Sequence, residues 1–253
     1  MTDTTRASPI TGTPAGLAEL AFLFDVDDTL LDNDRFAIDL AARLERDFGT
    51  AERERYQSIY EARREALGYA DYLGALQAFR IGCEHEERLL GMSDFLLDYP
   101  FAERLYPGAL EAVAHLRTLG PAAILSDGDI VFQPRKIRRA GLWDAVGGQV
   151  LVTVHKEHAL DAVLRRFPAR RHVMVDDKPQ LLAAMKRALG DRLVTVFVRQ
   201  GHYAEAARGM AIEPPPDLAV AAIGELRTLS LADLPAVLPE AAPPPFTAVP
   251  EAP

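Results

Sequence analysis

The chain has 253 residues, 49% of them hydrophobic and 26% charged, which is enough to bury one substantial core with a smaller unit beside it. Thirty-seven acidic against 28 basic residues give a net charge of -9, and no Lys/Arg stripe interleaved with aromatics occurs, which argues against a nucleic acid partner. The single cysteine, Cys83, rules out an internal disulfide framework and a cysteine zinc site.

The opening residues MTDTTRASPITGTPAG lack the pattern of a signal peptide, and no uninterrupted apolar stretch reaches membrane-span length. Residues 1–18 are therefore expected to be a flexible N-terminus of a cytoplasmic protein with no membrane partner, a monomer or homodimer. The first strand-length apolar run is Leu20 to Phe24. From Asp25 to Pro121 no strand pattern follows, and helical faces fill the gap. Phe36, Leu40, Leu44 and Phe48 form one, ended by Gly49. Tyr56, Ile59, Tyr60, Arg63 and Leu67 form a second ended near Gly68, and Tyr72, Leu73, Leu76 and Phe79 a third. The stretch LYPGALEAVAHLRTLG then leads the chain back.

Further apolar runs lie at Ala122 to Leu125, Val150 to Val154, His172 to Val175, Leu193 to Val198 and Leu218 to Ile223. Helical patterns separate most of them: Leu160, Val163, Leu164 and Phe167 share a face, as do Leu181, Leu182, Met185, Ala188 and Leu189. Strands alternating with helices predict an α/β fold whose mostly parallel sheet is covered on both faces. The expected organisation is a core of residues 19–34 and 106–235 and an all-helical insertion over 35–105. A disordered Pro/Ala-rich tail is expected over 241–253.

The runs end in chemically suitable groups. "LAFLF" delivers DVDDT, so Asp25 and Asp27 stand two residues apart at a strand end, where extended geometry aims both the same way. Ser126 follows "AAIL", Lys156 follows "VLVTVH", and Asp176 and Asp177 follow "HVMV". In an open α/β sheet this edge is where ligands bind. An isolated Asp-x-Asp is ordinarily a polar turn; four such stops at one edge form a constellation.

In order and spacing, DVDDT, LSDGD, VHK and VDD resemble the motifs of the haloacid dehalogenase superfamily, with the helical insertion between the first and second motifs as in members with a helical cap. The resemblance spans roughly residues 19–230 and implies a Rossmann-like three-layer core. It departs in two places: Asp28 stands where Gly is usual, and Glu157 follows the lysine where Pro is common. The resemblance implies a Mg²⁺-dependent phosphatase acting on a small phosphorylated metabolite, with Asp25 as nucleophile forming an aspartyl-phosphate. Asp27 would act as general acid and then base, and Lys156 as the cation that lets a carboxylate approach a phosphate. Asp25, Asp27 through its backbone carbonyl, Asp176 and Asp177 would hold the metal. Thr29, Ser126, Asp127 and Gly128 are expected near the substrate. The namesake dehalogenases attack carbon and lack the second aspartate, so Asp27 favours phosphoryl transfer. A phosphomutase would use the same residues, and a noncatalytic binding module is the reading from another class.

Other features carry blander expectations. Lys136, in the basic stretch FQPRKIRRAGL, competes with Lys156 but is not at a strand end. His155 and His158 are expected as solvated residues at a helix start and Asp129 as a helix cap. Arg199 and His202 lie in a segment returning to the active edge. Arg35, Arg63, Arg64, Tyr60 and Tyr72 of the insertion are candidates for recognising the leaving group, although most such charges form a wet helix face.

Overall fold

The computed structural model describes residues 17–83 and 86–235. The N-terminus expected to be flexible therefore lies almost wholly outside the described residues, as does the Pro/Ala-rich tail. Ala18, however, already opens the first strand.

Strand β1 (Ala18–Phe24) leads into the insertion, which contains α1 (Asn33–Phe48), α2 (Thr50–Leu67), α3 (Tyr72–Phe79) and α4 (Glu86–Asp98). The return passes through a 3₁₀ turn at Phe101–Arg104 to α5 (Ala109–Leu119) and β2 (Ala122–Asp127). Helices α6 (Phe132–Arg139) and α7 (Leu142–Ala145) precede β3 (Val150–Thr153). Then come α8 (Leu160–Arg166), β4 (Ala169–Asp176), α9 (Pro179–Leu189), β5 (Leu193–Val198), α10 (Gly201–Ala206) and β6 (Leu218–Val220).

All strand pairs are parallel, in the order β3-β2-β1-β4-β5-β6. The direction of winding reverses around β1, so the crevice at its C-terminal end is the topological switch point where α/β sheets bind ligands. Alternation along the strands builds the two faces. Phe22, Phe24, Val173 and Val175 enter one apolar cluster with α5 and the insertion. Leu23, Met174, Ala123 and Leu125 enter the other, with Leu160 and Val163 of α8 and Leu182 and Met185 of α9. Together these make the three expected layers.

The insertion is all helical. Each of its helices buries a stripe: Phe36, Leu40 and Leu44 on α1, Tyr56 on α2, Tyr72, Leu76 and Phe79 on α3, Met92 and Leu96 on α4. Its two ends are held side by side. Asp32 N–H donates to Arg104 O at 2.8 Å and Tyr106 N–H to Leu30 O at 3.0 Å, around an antiparallel bridge between Leu31 and Leu105. The insertion thus rises from the core on a two-stranded stem.

The cap touches the core beyond the stem. Arg64 of α2 donates to the Tyr203 hydroxyl of α10, the His202 backbone N–H donates to Asp34 Oδ2 at 2.9 Å, and the Gly68 backbone packs against the His155 ring. Among the described residues, no helix is long and apolar enough to cross a membrane.

Candidate active site

The loop after β1 opens with Asp25, whose N–H continues the sheet by donating to Val175 O at 3.0 Å. Asp25 is 2% exposed. Lys156, wholly buried in the turn after β3, donates to Asp25 Oδ1 at 2.6 Å and to Asp176 Oδ2 at 2.8 Å, tying the ends of three strands together. Burial alone would pull the Lys156 ammonium down, but Asp176 and Asp25 outweigh it and hold the group above the usual lysine range.

The two adjacent aspartates at the end of β4 divide their work. Asp176 is fully engaged, with Lys156 on Oδ2 and the Lys178 backbone N–H on Oδ1 at 2.9 Å. Asp177 is buried, and neither of its oxygens has a hydrogen-bond partner; Asp25 Oδ2 is buried and unpartnered as well. Burial, with Asp176 and then Asp25 nearby, pushes the Asp177 carboxyl up to about 9. Ligand oxygens of Asp25, Asp176 and Asp177 lie within 4.8 Å of one another. A divalent cation with oxygen ligands fits this set, because unpaired buried carboxylates are strongly disfavoured unless paired or coordinated.

Asp27 lies closer to solvent, with its side chain 23% exposed. Lys136 Nζ donates to its Oδ1 at 2.7 Å, and Gln133 Nε2 reaches its Oδ2 at 3.2 Å and Ser126 Oγ at 3.0 Å. Thr29 is buried with an unpartnered hydroxyl. Asp127 accepts from the Thr153 hydroxyl at 2.7 Å, and Gly128 N–H donates to Thr153 O at 3.0 Å, so both are occupied with β3. Burial raises the Asp127 carboxyl despite Lys156 nearby.

Asp28 adopts φ 59, a left-handed conformation that explains why glycine suits the position. Its Oδ1 accepts from the backbone N–H groups of Asn33 at 2.9 Å and Asp34 at 3.2 Å, capping the helix that begins the cap. Burial, then Asp27 and Asp34, push its carboxyl up to about 7. The extra acid is thus spent on the cap's first turn.

A family model for haloacid dehalogenase-like hydrolases matches residues 20–189. The chain belongs to the haloacid dehalogenase-like hydrolases. A haloacid dehalogenase-like hydrolase of Burkholderia xenovorans LB400 is 55% identical, with a TM-score of 0.79 over 87% of this chain and all of that one. The magnesium-bound HAD-hydrolase YfnB of Bacillus subtilis shares the fold at 17% identity, with a TM-score of 0.58 over 83% of this chain and 97% of its own. So does the L-2-haloacid dehalogenase of Xanthobacter autotrophicus, at 23% identity and a TM-score of 0.51 over 82% and 96%. No curated protein matches the chain.

Two lysines of this hydrolase escaped the sequence reading as site residues. Lys136 was set aside as part of a basic helix, yet it is buried against Asp27. Lys178, immediately before α9, has its ammonium 4.6 Å from the Tyr203 ring centroid. Asp25, Asp176 and Asp177 overcome the cost of its burial and hold it raised. The cap candidates separate. Arg35 pairs with Asp39 on an exposed face, and Arg63 holds Asp71, which caps α3 through Gly74 N–H. Tyr60 and Tyr72 stack at 4.8 Å, and Tyr72 also approaches Lys136, so these rings and Arg64 face the core. His155 packs on Gly68 and lies 5.4 Å, ring to ring, from His158; Asp129 caps α6 by accepting from Phe132 N–H at 2.5 Å.

Proposed function

We propose that the chain is a phosphomonoester hydrolase that uses Mg²⁺ and passes through an aspartyl-phosphate. The observation that carries this reading is the group of buried carboxylate oxygens without hydrogen-bond partners, on Asp25 and Asp177, beside a second acid at Asp27. Displacement of halide from carbon needs neither a cation at that point nor an acid for an oxygen leaving group. Transfer of a phosphoryl group from oxygen uses both.

A carboxylate oxygen of Asp25 attacks phosphorus. The new O–P bond forms as the bond to the leaving oxygen breaks, and Asp27 delivers a proton to that oxygen. Water then attacks phosphorus, Asp27 takes its proton, and the bond to Asp25 breaks to release inorganic phosphate. Lys156 keeps Asp25 oriented and offsets the negative charge that two anions bring together. Asp25 and Asp177 would hold Mg²⁺, with the Asp27 carbonyl as a further oxygen ligand and Asp176 supporting through Lys156. Bound there, the cation supplies charge neutralisation for the carboxylates and the phosphoryl oxygens. Ser126, joined to Asp27 through Gln133, offers its hydroxyl to a phosphoryl oxygen.

The test is release of phosphate from a broad phosphomonoester panel with Mg²⁺, alongside halide release from 2-haloacids without it. Phosphate release that is lost in Asp25→Asn supports the reading. Halide release with no phosphate release sinks it, and transfer of the group to a sugar hydroxyl moves the chain to the phosphotransferases.

A further inference from the structure

Helix α6 presents Gln133 and Lys136 one turn apart, the spacing that sets two side chains on one face. Between them they donate to both oxygens of Asp27: Lys136 Nζ to Oδ1 at 2.7 Å and Gln133 Nε2 to Oδ2 at 3.2 Å. A carboxylate held by a donor on each oxygen cannot turn freely about its last torsion. Lys136 is only 1% exposed, and its ammonium lies 5.5 to 6.0 Å from the ring centroids of Phe132, Phe101, Phe36 and Tyr72. Its other hydrogen bond goes to Asn33 Oδ1 at 2.9 Å. Asn33, Phe36 and Tyr72 belong to the cap, so this holder is assembled where the cap meets α6. Burying an ammonium costs several kcal/mol unless it is paired, and an apolar side chain would fill a box of four rings without that cost. The charge is therefore placed for its carboxylate partner.

We infer that Lys136 and Gln133 are positioning residues that fix Asp27 for the water that hydrolyses the covalent intermediate. This rests on the phosphoryl-transfer reading above. In that half-reaction the water oxygen bonds to phosphorus, the Asp25–phosphorus bond breaks, and the water proton passes to Asp27. Neither Lys136 nor Gln133 touches the reacting atoms in this scheme; each acts through Asp27.

The test is rapid-quench kinetics on the full chain with Mg²⁺ and p-nitrophenyl phosphate, whose leaving group departs without a proton donor. Wild type is compared with Lys136→Met, Gln133→Met and, as a reference for loss of the base, Asp27→Asn. For Lys136→Met the expected result is a steady-state kcat about 100-fold lower with KM changed by less than about threefold. A burst of p-nitrophenolate near one equivalent per chain and an accumulating acyl phosphate accompany it, because formation outruns hydrolysis. Gln133→Met is expected to show the same burst with a loss of about tenfold, and carries the test if Lys136→Met does not fold. Turnover within about threefold of wild type in both variants, or a slower rate with no burst, overturns the inference and leaves the phosphatase reading standing. A wild type that cleaves no phosphomonoester overturns the phosphatase reading and takes this inference with it.

Discussion

Replacing Asp177 by Asn tests whether the orphaned acids are a built cation site. Asp177 is fully buried, and burial together with Asp176 and Asp25 moves its carboxyl from 3.8 up to about 9. Between those values the folded chain holds a proton that the unfolded chain has lost. The metal-free protein must therefore lose stability as pH rises from about 4 to about 9, by at most about 1.4 kcal/mol for each pH unit. At pH 7, roughly three units above the unfolded value, the penalty is about 4 kcal/mol as an upper bound, shared within a group of acids that titrate together. Asparagine keeps the shape and removes the charge. In urea titrations with a chelator, Asp177→Asn should be more stable than wild type at pH 7, with the gap closing toward pH 4. Adding Mg²⁺ should narrow the gap, since wild type gains about 2.7 kcal/mol at a hundredfold excess over Kd and about 4.1 kcal/mol at a thousandfold excess, while the variant gains little. A variant less stable than wild type without metal, or a gap that ignores pH, would refute the reasoning.

Lys156→Met leaves Asp25 and Asp176 buried without their shared cation, so the folded state should lose about 3–5 kcal/mol, read as a lower denaturation midpoint, and phosphate release should vanish. An unchanged midpoint would show that the lysine is not the charge that holds the three strand ends together. Gly201→Ala puts a methyl group 2.4 Å from Asp28 Cβ on backbone with φ 70, and should cost about 1–3 kcal/mol in urea unfolding. A variant as stable as wild type would mean that the contact between α10 and the cap's stem yields freely.

The sheet was legible because buried parallel strands are written as short runs of Val, Ile and Leu. Strands β1 and β4 extend beyond their apolar runs at the N-terminal ends, where Glu19 and Arg170 face solvent and carry no hydrophobic signal. Strand β6 stops at Val220, short of the expected Ile223, which instead begins a 3₁₀ turn. Helix α4 was missed because Gly91 interrupts its pattern; the position is filled by the Arg43 guanidinium, 3.0 Å from where a Cβ would stand. In the segment of Arg199 and His202, the helix α10 begins only at Gly201.

At the site, Asp25, Lys156 and the Asp176–Asp177 pair could be found from strand ends alone. The division of labour between the pair could not, because it depends on which oxygens Lys156 and the Lys178 N–H reach. Lys136 was hidden among arginines: Arg135 and Arg139 bind the end of α4 at Asp98, while Lys136 turns the other way. The signal available was its one-turn spacing from Gln133, which has meaning only once Asp27 is known to face α6.

The two-stranded stem has a consequence for how the chain finds its fold. Strands β1 and β2 must pair across nearly a hundred residues, and closing a loop costs more entropy the longer it is, though each doubling adds only about 0.6 kcal/mol. Once Leu30–Asp32 lies beside Arg104–Tyr106, the path from one strand to the other shortens to the short loop after Phe24 on one side and to α5 with its flanking turns on the other. The helices above the stem then lie outside the loop that the sheet must close. Their length and sequence can change with little effect on β1–β2 pairing, so the cap can diverge while the strand ends bearing Asp25 and Lys156 stay in register.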